Sequence, residues 1–111
     1  LFGPEFVKDC YAALGQGGIM VQQSESPLLH QALIAGITKN MREAGFSETA
    51  TLGFPQPCYP SGWWSATMAV KEGTLAPPSE ARFSEAKLTT RYYNREVHVG
   101  ALATQLETVA R

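Results

Sequence analysis

Two strand-like runs, "ETATLGF" (48–54) and "WWSATMAV" (63–70), are separated only by "PQPCYPSG" (55–62). A parallel pair of strands needs a crossover of about a dozen residues or more, usually a helix, so a link this short and this rich in proline permits only an antiparallel hairpin. The rest of the chain has to be arranged around that hairpin.

Upstream, Phe6, Cys10 and Leu14 recur at helical spacing with Val7 and Tyr11 beside them, Pro4 and Glu5 suit a first turn, and "GQGG" supplies a stop. "GIMVQQ" reads as a buried strand ending at Gln22 or Gln23. Ser26 and Pro27 then resemble an N-cap and a first helical residue, followed by a stripe of Leu29, Leu33, Ile37 and Met41 that Gly45 closes. Helix, strand and helix in this order fit a right-handed crossover layer, and the expected fold is α/β, a parallel sheet ending in the antiparallel hairpin. Beyond it, "EGTLAPPSE" reads as a surface loop. Asn94 is a cap for a closing helix carrying Val97, Ala101, Leu102, Leu106 and Val109.

At 111 residues the chain holds one domain's worth of material. A hydrophobic fraction of 44% against 17% charged residues describes a globular protein, and a net charge of -1 gives no electrostatic case for nucleic acid. No apolar run is long enough to span a bilayer and the N-terminus lacks the order of a secretory signal, so no membrane partner and a cytoplasmic location are expected. Cys10 and Cys58 match no zinc or redox spacing and read as reduced, buried thiols; His30 and His98 stand alone, so no metal site is expected. "GQGG" precedes a strand rather than a helix and offers no phosphate cradle, and Ser61 lacks the glycine that a nucleophile elbow requires.

Neutral polar and aromatic groups remain at the carboxyl ends of strands, where open α/β sheets bind ligands. Gln23 ends the first strand, Glu25 follows it, and Tyr59 and Trp64 flank the hairpin turn. Each also has a purely structural reading. Gln23 would cap backbone, Glu25 would favour a helix dipole, and the two rings would pack. Trp63 and Trp64 point to opposite faces and cannot share one core.

The segments "ALGQGGIMVQQSESPLLH", "CYPSGWW" and "RYYNREVH", in this order, resemble the C-terminal part of the polyamine aminopropyltransferases, in particular the spermidine synthases. The resemblance covers essentially the whole chain, 1–111, and implies a Rossmann-like, methyltransferase-type fold. It also implies transfer of an aminopropyl group from decarboxylated S-adenosylmethionine to putrescine or a similar diamine, with that sulfonium as co-substrate and no resident cofactor. On this resemblance Gln23 falls beside the putrescine pocket, Tyr59 reaches the diamine, and Trp64 forms an aromatic wall while Trp63 packs. Family members commonly form dimers, so a homo-oligomer is expected.

The resemblance puts the catalytic base on an aspartate shortly before Leu1 and the nucleoside-binding half upstream, so the segment alone is expected to be inactive. Its parallel strand would lack a neighbour on one edge, giving aggregation, a partner or a swapped arrangement. A non-catalytic interaction module with an aromatic assembly surface is the alternative of a different class, and an S-adenosylmethionine-dependent methyltransferase is a weaker one resting on fold alone.

Overall fold

Residues 3–103 are described by the computed structural model. Their elements are α1 (Pro4–Ala13), β1 (Ile19–Gln23), α2 (Gln31–Ala44), β2 (Glu48–Pro55), β3 (Trp63–Val70), α3 (Glu80–Ala86) and α4 (Arg95–Ala103). Leu106 and Val109 of the expected closing helix lie outside the described residues.

The hairpin forms as its short link requires. β2 and β3 pair antiparallel from Glu48↔Val70 to Pro55↔Trp63. The expected parallel sheet does not: the order is β1-β3-β2, and β1 also pairs antiparallel with β3, from Ile19↔Val70 to Gln23↔Ala66. β1 and β2 run the same way, but the returning strand lies between them, so no parallel pair exists among the described residues. Burial explains the insertion. β3 has five buried residues in "WWSATMAV", on both faces, as a central strand needs, whereas β1 and β2 have none. Coverage of both faces puts β3 in the centre.

One face of the sheet carries α1 and α2. Val7, Ile37, Met41, Phe46 and Ala69 form the core, with Tyr11, Leu14 and Met20 packed against it. The Tyr11 ring meets Phe46 edge-on at 5.1 Å. Gly45, at φ 119, ends α2 where a Cβ would stand 3.1 Å from that ring, so both the backbone and the close approach call for glycine.

α2 begins later than its sequence suggests. Ser26 does accept from the amides of Leu28 and Leu29, each at 3.2 Å, but this caps a separate turn, and the helix proper starts at Gln31 after His30. Its buried face is Ile34, Ile37, Thr38 and Met41, while Leu29 and Leu33 of the expected stripe are exposed. Asn94 caps α4 as expected, its Oδ1 accepting from Val97 N at 2.7 Å. The loop through Pro78 leads into an unforeseen short helix, α3, capped by Ser79. Tyr93 Oη lies 2.8 Å from His98 Nδ1, and burial pushes the His98 pKa down. The two groups share one hydrogen bond, its direction set by the tautomer of the ring.

α1 has no basic residue in its last turn, and a lysine from the far end of the sheet takes that place. Lys71 Nζ donates to the carbonyls of Tyr11 at 2.8 Å and Leu14 at 2.7 Å, and sits 4.5 Å from the Tyr11 ring centroid. These are the carbonyls a helix end leaves without partners. Lys71→Met in the intact protein is expected to lower stability by about 1.5–3 kcal/mol, the usual worth of hydrogen bonds to a charged group, as read by urea denaturation. A loss below about 0.5 kcal/mol would mean that water replaces the ammonium without penalty.

Candidate functional site

β1 ends at Gln23, and the chain then turns sharply through Glu25, whose φ of 60 lies in the left-handed region. An open cavity of about 720 Å³ lies against this end of the strand. Gln22, Gln23 and Glu25 line it from the strand side, and Leu33, Gly36 and Asn40 from α2. Neighbouring strand residues point to opposite faces, so a cavity reached by both glutamines runs along the unpaired edge of β1. Glu25 carries the only charge among its described lining residues. Gln22 Oε1 is buried there without a hydrogen-bond partner among the described residues.

The hairpin turn builds the other half of the site. Ser61 and Gly62 both have positive φ, 75 and 68, and backbone bonds from Gln56 N to Gly62 O and from Gly62 N to Tyr59 O close the turn. Tyr59 lies over Trp64 with ring centroids 4.5 Å apart and planes tilted by 32°, and His30 meets the same indole at 6.2 Å, near edge-on. Trp64 is buried at 8% exposure while Tyr59 is 43% exposed, so the phenol shields the indole from solvent. Trp63 packs across β2, where Gly53 leaves room for its Nε1; a Cβ there would stand 2.9 Å away.

Hydroxyl groups tie the two halves together. Ser26 Oγ and Ser61 Oγ are 2.8 Å apart, joining the β1–α2 loop to the hairpin turn. Ser24 Oγ lies 2.7 Å from Ser65 Oγ, and Ser65 in turn donates to the Glu25 carbonyl at 2.8 Å. His30 Nδ1 accepts from Ser26 N at 3.1 Å and stands 3.7 Å from Glu25 Oε2, so in the neutral ring the proton sits on Nε2.

Of the residues expected from sequence, Tyr59 and Trp64 form one ring pair and Gln23 lines the cavity. Register puts Gln23 opposite Ala66, two residues from Trp64, so Gln23 and Trp64 leave the sheet on the same face. The rings themselves do not line the cavity. Sequence reasoning missed the α2 wall because it counted Leu33 as core. It also missed the serine links, for which the closely spaced serines of "SES" and "PSGWWS" were the available sign. The thiols are free, but Cys58 is exposed and Cys10 only half-buried, contrary to the expectation that both are buried; Cys58 sits in the turn, where no core reaches it.

Residues 1–77 match the spermine/spermidine synthase domain. The chain belongs to the spermine/spermidine synthase family. Two polyamine aminopropyltransferases, from Halorhodospira halophila and Methylococcus capsulatus, are each 53% identical to it over 104 residues. Those matches take in 93% of this chain but only 37% and 36% of the relatives, so the chain spans little more than a third of their length. The crystal structure of spermidine synthase from Thermotoga maritima superposes with a TM-score of 0.79 at 28% identity, over 95% of this chain and 36% of that one. A spermidine synthase structure in complex with the transition-state analogue AdoDATO gives the same TM-score over 37% of its chain. Among the described residues, this member of the synthase family has no helix long and apolar enough to cross a membrane.

Proposed function

We propose that this chain forms the amine-acceptor side of an aminopropyltransferase, which moves an aminopropyl group from decarboxylated S-adenosylmethionine to putrescine or a similar diamine in polyamine biosynthesis. The observation that carries this reading is the cavity at the end of β1, where one carboxylate, Glu25, stands with the Gln23 amide in a lining that is otherwise uncharged. A diamine is an apolar rod with cationic ends. A carboxylate attracts one end and a neutral amide orients it without adding charge. Tyr59, backed by Trp64, stands outside that lining, and its exposed ring would meet the methylenes only of a diamine that extends from the cavity toward the hairpin turn.

In the reaction the free amine nitrogen attacks the aminopropyl carbon bonded to sulfur. The C–S bond breaks with its electron pair passing to sulfur, the sulfonium becomes the neutral thioether methylthioadenosine, and the new N–C bond leaves a proton for a base. That base and the nucleoside-binding half belong, on this reading, to the remainder of the length that the relatives span. Ile19 and Val21, 50% and 60% exposed on the face opposite Met20 and the core, leave apolar surface that this remainder would cover.

The test is product analysis by mass spectrometry with the full-length protein, decarboxylated S-adenosylmethionine and a series of diamines. Spermidine or a homologue is expected together with methylthioadenosine in equal amount. A protein that self-associates in the ultracentrifuge but neither binds nor consumes any diamine would instead be an interaction module of the same fold.

A further inference from the structure

The hydroxyls joining the β1–α2 loop to β3 admit a single set of donor directions. The Glu25 carbonyl can only accept, so the Ser65 hydroxyl, 2.8 Å away, spends its one proton there. Ser24 Oγ, 2.7 Å from Ser65 Oγ, must therefore donate to Ser65. Thr67 then donates to Ser24 over 2.9 Å, and Thr51 to Thr67 over 3.0 Å. A one-way chain thus runs from β2 across β3 and ends on the backbone of Glu25. Ser24, Ser65 and Thr67 are at 0% exposure, so water does not compete for these bonds.

The chain ends where the backbone needs help. Glu25 holds a φ of 60, a conformation that glycine adopts freely and a long side chain does not. Its neighbours are fixed from both sides, Ser24 N donating to Ser65 O at 2.9 Å and Ser26 N to His30 Nδ1 at 3.1 Å. Ser65 therefore grips the segment through both its carbonyl and its hydroxyl.

We propose that Ser65 is a positioning residue for the cationic end of the amine site. Its hydroxyl keeps the Glu25 backbone left-handed and so fixes where the Glu25 carboxylate stands beside Gln23. This inference rests on the amine-acceptor reading of the cavity. A carboxylate at a fixed place sets the distance between the held ammonium and the reacting nitrogen, and with it the length of diamine that fits. Loss of the hydroxyl should weaken diamine recognition and blur the choice between putrescine and longer diamines, leaving the sulfonium co-substrate untouched.

The experiment compares Ser65→Ala with Thr67→Val in the full-length enzyme. Both remove one buried hydroxyl from the same chain, but only the first touches Glu25. For Ser65→Ala, KM for the diamine is expected to rise about tenfold to a hundredfold, the scale of an ångström-sized misplacement, with KM for the co-substrate unchanged. Thr67→Val should lower the melting temperature comparably yet keep the diamine KM within about twofold. NMR couplings should show Glu25 leaving positive φ in Ser65→Ala only. Equal diamine KM shifts in the two variants, or a Glu25 that stays left-handed in Ser65→Ala, would overturn the proposal. If Ser65→Ala does not fold, Ser65→Cys, which keeps the size with a weaker donor, is read by the same criteria. A wild-type enzyme that consumes no diamine would refute the functional reading instead, and the role of Ser65 would then be decided by the Glu25 couplings alone.

Discussion

Trp64→Ala is expected to cost the protein about 3–5 kcal/mol, the range for truncating a buried tryptophan, and to lower the diamine-dependent activity proposed above by removing the support of Tyr59. The indole is only 8% exposed, with Tyr59 at 4.5 Å on one side and His30 at 6.2 Å on another. Alanine would leave the Tyr59 ring without support and empty the space between the hairpin turn and the β1–α2 loop. Trp64→Phe should behave differently. Trp64 Nε1 is buried with no hydrogen-bond partner among the described residues, a burden of about 1–3 kcal/mol that phenylalanine removes while keeping a ring for Tyr59 to lie on. The smaller ring loses packing of similar size, so a net change within about 1 kcal/mol is expected. Urea denaturation and kcat/KM on the intact enzyme read both effects. A Trp64→Ala protein that keeps its stability would show that the ring pair is peripheral. A large loss in Trp64→Phe would show that the indole N–H finds an acceptor in the assembled enzyme.

The boundaries of β1, β2 and β3 were legible because local chemistry sets them: glycine before Ile19, the polar switch at Gln23, and the proline-rich link between the last two strands. The place of β3 in the centre was not. A sheet's order depends on which strand can be covered on both faces, and "WWSATMAV" and "GIMVQQ" are both apolar enough to qualify when read singly. Gln23, Tyr59 and Trp64 were expected at the site from their positions at strand ends and from the family resemblance; Gln23 lines the cavity, and Tyr59 and Trp64 form a ring pair outside its lining. The links that hold their segments together could not be expected, because the partners Ser24 and Ser65, or Ser26 and Ser61, are far apart in sequence and meet only when β3 lies against β1. Glu25's left-handed backbone has the same origin, since no turn residue marks it and Ser65 arrives from another strand.

The helical stripe of α2 offers the sharpest contrast between pattern and packing. Leu33 and Met41 occupy equivalent places in the four-residue spacing, but Met41 is at 0% exposure in the core with Val7, Ile37, Phe46 and Ala69, whereas Leu33 is 44% exposed on the cavity wall. Met41→Ala is expected to lower stability by about 2–5 kcal/mol, because the side chain's transfer energy is lost and the surrounding rings cannot close the gap. Leu33→Ala should cost under about 1 kcal/mol, since much of that side chain is already in water. The larger loss is a sizeable share of the roughly 5–15 kcal/mol that holds a typical domain folded, so it should also loosen α2 as the cavity's second wall. Met41→Leu, which preserves volume, should recover all but about 1.5 kcal/mol. Urea midpoints of the three variants in the intact protein provide the measurement. If Leu33→Ala proved as costly as Met41→Ala, the cavity face of α2 would be packed in the assembled enzyme, and the space assigned to the amine would belong to protein.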